Sequence, residues 1–392
     1  MAGGGGGGKT WIGQLVGGGA VIGAAHALGH SAPGWLHAGM LAVGGLAVVF
    51  GSCEAMIKAV EGIGKRLRWN AFVAGTMAGL ASNVPELVML AFVLAVEPRV
   101  GFVVTMLTLH VGALAFGVYC LMLPRDEHGD ARLPEPLVRL STDLYAAAAG
   151  VFLSTGLLMV LINVFESGAH KGEGFGSRDL YVLGGALLFV EVVAVMRLVK
   201  RFAGGGDADT IQTGSADNSS PPADAPSWGK IIGFGALGVA TSVVGGHAVG
   251  DFADVLVNGL TAAGWSEMVG ALILSVFAAS GAFVMIISAH AKGTYDIALA
   301  SASGQVTQVP FVVLPVALIL VAIFGDTGVV PTLPNGGVLA IDLETTSVVL
   351  LAFAPMLMLW KSVQDDGKVN WVETASLITV FALTVYFLAA HG

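Results

Sequence analysis

Apolar residues in this chain gather in long blocks instead of alternating with polar ones. The blocks cover 11–28, 36–57, 69–96, 100–123, 144–165, 180–198, 231–260, 265–291, 297–324, 346–360 and 372–389. A helix needs about 20 mostly apolar residues to cross a hydrocarbon core about 30 Å thick. The ten-residue alternating segments of an outer-membrane barrel are absent from the pattern. The blocks therefore predict eleven membrane-spanning helices. Between the sixth and seventh lies AGGGDADTIQTGSADNSSPPADAPSW (203–228), a Gly/Ser/Asp/Pro linker with too little apolar surface to pack a core. It divides the chain into a flexible Gly-rich terminus with a leading span (1–34), a first five-helix repeat (35–202), the acidic linker itself, and a second five-helix repeat (229–392). Five crossings is an odd number, so the second repeat enters the membrane from the opposite side, the inverted-repeat plan of secondary transporters. The fold class predicted is all-α: a polytopic membrane protein of ten helices in an inverted 5+5 repeat, with an extra N-terminal span.

Composition agrees. Charged residues make up 11% of the chain and the mean hydropathy is +0.82, whereas soluble domains carry about 25% charged residues. The lipid bilayer is thus the constant partner, and no basic stripe points to nucleic acid. If every block crosses and the N-terminus is cytoplasmic, only Arg99, Lys171 and Arg178 of the 18 Lys and Arg residues fall outside. The rest crowd the inner loops, as the positive-inside rule requires. The chain is accordingly expected in a prokaryotic cell membrane, N-terminus in the cytoplasm and C-terminus outside. Cys53 and Cys120 lie within apolar blocks and imply no disulfide framework. Residues 3–10, GGGGGGKT, match a phosphate-binding loop letter for letter, yet no strand precedes them, and a flexible terminus is the better reading. No His-Glu-x-x-His or Gly-x-Ser-x-Gly occurs, so neither an enzyme nor a bound cofactor is expected.

The third block carries the chemistry. It reads WNAFVAGTMAGLASNVPELVMLAFVLAV. Pro85 has no N–H and its ring clashes with the carbonyl four residues back, that of Ala81, which predicts a break. Glu86 beside it puts a carboxylate at mid-membrane, where it costs several kcal/mol (roughly 2.5 upward) and usually serves function. Freed carbonyls and a carboxylate are hard oxygen ligands for a cation; the plain alternative is a proline kink with a hydrogen-bonded glutamate. Asn83 shares the Glu86 face if the helix holds there, as a neutral ligand or an interhelical hydrogen bond. A shift of about 196 residues lays Trp69 on Trp265, Pro85 on Gly281 and Glu86 on Ala282, a weak internal match. It makes Ser280 and Gly281 the candidate break and ligands in the eighth block, with plain helix packing as their other reading. Thr108 and His110 in the fourth block, and Gln305, Thr307 and Gln308 in the ninth, add amides and hydroxyls unusual for lipid-facing surface. His247, Asp251 and Asp254 share one helical stripe, either an ion vestibule or compensating charge (above all Asp251), a transition-metal site, or a polar helix end. Glu54 is their inner counterpart, and Glu191 is expected to pair with a neighbouring helix.

SNVPEL at 82–87 and KGTYDIALASASGQVTQVPFVVLP at 292–315 resemble the two signature repeats of the calcium/cation antiporter superfamily, nearest in pattern to its cation/proton exchanger branch. The leading span and acidic linker fit that branch too. The resemblance implies a secondary antiporter exchanging Ca²⁺ or another cation for H⁺ or Na⁺, with Glu86 as ligand and the flanking segments lining the site. It also implies a second glutamate facing the first. FAASGAF at 277–283 puts Ala282 there instead, so another acid compensates, the ion is monovalent, or the fold survives as a transport-inactive sensor or scaffold.

Overall fold

The structure is a computed structural model that describes residues 10–29, 33–67, 69, 71–165, 174–202, 225–291, 293, 295–334, 336–365 and 367–391. The Gly-rich terminus at 1–9 and most of the linker, 203–224, lie outside the described residues.

Long apolar runs with internally bonded backbones become helices because lipid offers no hydrogen-bond partners. The described helices are α1 (Thr10–Leu28), α2 (Gly34–Leu67), α3 (Ala71–Val96), α4 (Pro98–Leu121), α5 (Glu135–Phe165), α6 (Ser177–Phe202) and α7 (Trp228–Ala262). They continue with α8 (Glu267–Ala278), α9 (Ser280–Ala291), α10 (Tyr295–Gln308), α11 (Leu314–Asp326), α12 (Leu343–Asp365) and α13 (Trp371–His391). A π-helical turn, Val309–Val313, joins α10 to α11. Counting α8–α9 and α10–α11 as one crossing each gives eleven candidate spans, and the chain is an all-α polytopic membrane protein. Several helices outrun their apolar blocks; α2 continues to Leu67 and α12 covers 343–365, because a helix does not stop where the lipid does.

The breaks differ from expectation. α3 runs unbroken through Pro85. One proline removes a single hydrogen bond, that to the Ala81 carbonyl, and the helix absorbs the loss; beside it the Cys53 thiol donates to the Ser82 carbonyl at 3.7 Å. The eighth span is interrupted as expected, at Ala279, just before Ser280 and Gly281. The irregular turn in the ninth span, built around Pro310, was not anticipated.

Pairings between loops fix the alternation of the helices. β1 (Ala131–Arg132), after the fourth span, pairs with β4 (Lys368–Val369), after the tenth. β2 (Gly174–Phe175), after the fifth, pairs with β3 (Leu339–Ala340), after the ninth. Arg99, after the third span, binds Glu267 after the seventh, and Asp342 at 2.6 Å and Glu344 at 2.8 Å after the ninth. Lys368 reaches Asp126 at 2.7 Å and Arg66 reaches the Pro226 carbonyl at 3.0 Å. Each of these contacts joins an even-numbered loop to an even one or an odd to an odd, the pattern that helices alternating between an even face and an odd face would give. On the even face, Lys368 and the Asp130 and His128 backbone amides hold the Asp126 carboxyl well below its ordinary range.

α4 is the most deeply buried span of the bundle, while α1 and α6 lie largely exposed at its outside. α2 and α7 run along each other through glycines. A Cβ on Gly45 would sit 3.1 Å from the Gly245 carbonyl oxygen, and one on Gly245 3.1 Å from that of Gly45. Backbone oxygens cannot rotate aside, so Gly245→Val is expected to wedge the seam and cost about 1–3 kcal/mol. Thermal unfolding in detergent checks this, with Gly233→Val on the same helix, where nothing lies within 4 Å, as the neutral control.

Candidate functional site

Glu86 is 6% exposed, and among the described residues its Oε1 has no hydrogen-bond partner. A buried carboxylate oxygen left bare is uncommon enough to require an explanation. One turn earlier on the unbroken α3, Asn83 donates its amide to Gln308 Oε1 at 2.8 Å. Gln308 is the last residue of α10, immediately before the π-helical turn. Gly79 and Gly304 flank it; a Cβ on either would stand in ordinary contact with its Nε2, at 3.7 and 3.4 Å.

The interrupted eighth span closes the same region from another side. A Cβ on Gly281 would lie 3.0 Å from Cys53 Sγ and 3.8 Å from the Ser82 carbonyl oxygen, so the break abuts α2 and the turn of α3 that carries Asn83 and Glu86. Ser280 donates its hydroxyl to the Phe277 carbonyl, which leaves only its lone pairs for a ligand. Ala282, where a second acid was sought, follows directly.

A neighbouring polar group lies between α4 and α10. Neither amide atom of Gln305 has a partner among the described residues, and its chain packs 3.4 Å from where Gly112 would carry a Cβ. His110 meets the Met106 carbonyl through Nδ1 at 3.1 Å, which makes Nδ1 the donor, and its Nε2 is likewise unpartnered among the described residues. Thr108 is bonded back to Val104 at 2.9 Å.

Asp251 lies on α7. It pairs with His247 at 3.1 Å, both substantially exposed, and Asp254 holds Asn258 at 2.8 Å. Glu54 pairs with Lys58 at 2.9 Å. Among the described residues no group of three or more His, Cys, Asp or Glu could hold a metal ion, so the His247 stripe gathers no three-ligand set there. Glu191, expected to pair with a neighbouring helix, has no hydrogen-bond or ion-pair partner among the described residues and instead lines a cavity. Its apolar sequence neighbours gave no hint of that cavity. The centre therefore offers one carboxylate, several amides and hydroxyls, and irregular backbone in two spans: oxygen chemistry suited to a hard cation.

A profile of the family described as "Sodium/calcium exchanger protein" matches residues 230–390. A Ca(2+)/H(+) antiporter of Aphanothece halophytica is 23% identical over 245 residues, covering 58% of this chain and 60% of that protein. The Ca(2+)/H(+) antiporter ChaA of Bacillus subtilis (strain 168) is 28% identical over 123 residues, 31% of each chain. The matched stretches span 60% and 31% of those relatives, less than two thirds of either. Among solved structures, the H+/Ca2+ exchanger CAX superposes with a TM-score of 0.65 at 13% identity, over 97% of this chain and 89% of that one. Native YfkE superposes with a TM-score of 0.60 at 15% identity, over 97% and 99%. At such identities the likeness concerns the fold.

Proposed function

We propose that this chain, a member of the calcium/cation antiporter superfamily, is a secondary antiporter that exchanges Ca²⁺ or another cation for H⁺ by alternating access around Glu86. The observation that carries this is the bare Glu86 carboxylate oxygen, buried beside the Asn83–Gln308 bridge and the break of the eighth span. A carboxylate is the one group there that a proton and a metal ion can occupy in turn. Asn83, Gln308, Ser280 and the carbonyls around Gly281 supply neutral oxygens, while Gln305, His110 and Thr108 line the approach from α4 and α10. Asp251 takes no part at the centre. The even face, which holds nearly all the lysines and arginines, is assigned to the cytoplasm.

A monovalent cation is the second reading, favoured by Ala282, because one carboxylate balances one positive charge in a low-dielectric site. Vesicles containing the purified protein and a pH-sensitive dye separate the two. Imposed gradients of Ca²⁺, Na⁺ and K⁺, applied in turn, are expected to drive proton movement for Ca²⁺. Movement with Na⁺ or K⁺ alone would select the second reading, and none with any cation would overturn antiport.

A further inference from the structure

On the even-face side of the Asn83–Gln308 bridge, a cavity opens between α3, α5, α6 and α10. About 40 Å³ of it is open to the centre of a water-sized sphere. One water needs about 10–15 Å³ by that measure, so the space suits a few waters or one partly hydrated ion. Its lining can be ordered by depth. α3, α5 and α10 start at the even face and α6 ends there, so Leu137 and Leu198 lie nearest that face, whereas Glu191, Thr307 and Gln308 lie farther from it.

Glu191 is directed into this space by the sequence of α6. The more sheltered positions of that helix are Leu180, Gly184, Leu187, Glu191, Ala194 and Leu198, at spacings of four and three, while the intervening positions 182, 185, 189, 192 and 196 are exposed. A stripe of that period faces the bundle. Glu191 is therefore a carboxylate held at mid-depth on the inner face of a lipid-exposed helix, without a hydrogen-bond or ion-pair partner among the described residues. Such a position is costly unless an ion or water serves it. The Thr307 hydroxyl, which lines the same cavity, donates to the Ser303 and Gly304 carbonyls at 3.2 and 3.1 Å, so its lone pairs stay free of those bonds.

We propose that Glu191, with the Thr307 oxygen and the floor of this cavity, forms a second cation site that takes a partly hydrated divalent ion between the even face and Glu86. It rests on the antiport reading for its purpose, and it answers the single carboxylate at the centre. The two acids act in series, so that a dication meets a negative ligand before the Asn83–Gln308 bridge and another beyond it, with water completing its shell.

Binding of Mn²⁺ to the purified full-length protein, followed by loss of its free-ion paramagnetic resonance signal, tests the site without requiring transport. Glu86→Gln protein is expected still to bind Mn²⁺, and adding Glu191→Gln should weaken that binding about tenfold or more, the scale of a partly screened charge–charge contact. Glu86→Gln protein that binds no Mn²⁺, or a double variant that binds as well as the single one, would overturn the site. Circular dichroism guards against misfolding, and Glu191→Asp, which keeps the charge, should retain binding. If the vesicles show no cation-driven proton movement while Mn²⁺ binding follows this pattern, antiport fails and the site stands.

Discussion

Glu86→Gln is expected to abolish exchange while leaving the protein folded and inserted. Glutamine keeps the shape of the side chain and fixes it as neutral, so a cation loses its only charged ligand at the centre and the proton loses its carrier. The loss should exceed about a hundredfold, since a charge–charge contact at an effective dielectric near 20 is worth several kcal/mol at ligand distance. Stability should hold or rise, because an unpaired buried charge is removed. Glu86→Asp retains the carboxylate but withdraws it by one methylene, and partial exchange with a raised half-saturating concentration should result. Cation uptake into vesicles and thermal unfolding in detergent, measured on the same preparations, separate lost function from lost fold.

Gln308→Leu carries the next largest effect, and a pair of variants divides it into two parts. The leucine leaves the Asn83 amide without its 2.8 Å partner in a setting that offers no water from lipid. An orphaned buried amide costs about 1–3 kcal/mol, while replacing both partners by apolar groups is nearly neutral. Gln308→Leu should therefore lower the unfolding temperature, and Asn83→Leu combined with Gln308→Leu should restore it. Exchange should fall about tenfold or more in the single variant and stay low in the double, because neither amide oxygen remains to receive the ion. Recovery of exchange together with stability would make the bridge a purely structural link.

The helices were legible because the bilayer imposes one rule on every span. Apolar blocks had to become helices, and the odd number in each half had to reverse the second half. The pairing of β1 with β4 and of β2 with β3 joins loops of like parity, as that alternation requires. Interruptions were less legible, because proline is neither necessary nor sufficient for one. Pro85 sits inside a continuous helix whose Ser82 carbonyl takes a thiol from α2. The eighth span is interrupted at Ala279 with no proline at all. Such choices depend on how each helix packs against its neighbours, and those neighbours lie far away in sequence. Asn83 and Gln308 were each singled out as polar residues in apolar blocks, yet their mutual bond joins positions 225 residues apart. Asp251 and Glu191 illustrate the same limit in opposite directions. The stripe shared by His247 and Asp251 formed a local side-chain contact, while Glu191, seen only as an isolated acid, turned out to line a cavity.

Cation uptake by wild-type vesicles at a series of pH values tests the shared use of Glu86 most directly. If proton and cation occupy the same carboxylate, lowering the pH on the cation side raises the half-saturating cation concentration and leaves the limiting rate unchanged at saturating cation. A half-saturating concentration that ignores pH while the limiting rate falls would place proton and cation on different groups and contradict this mechanism.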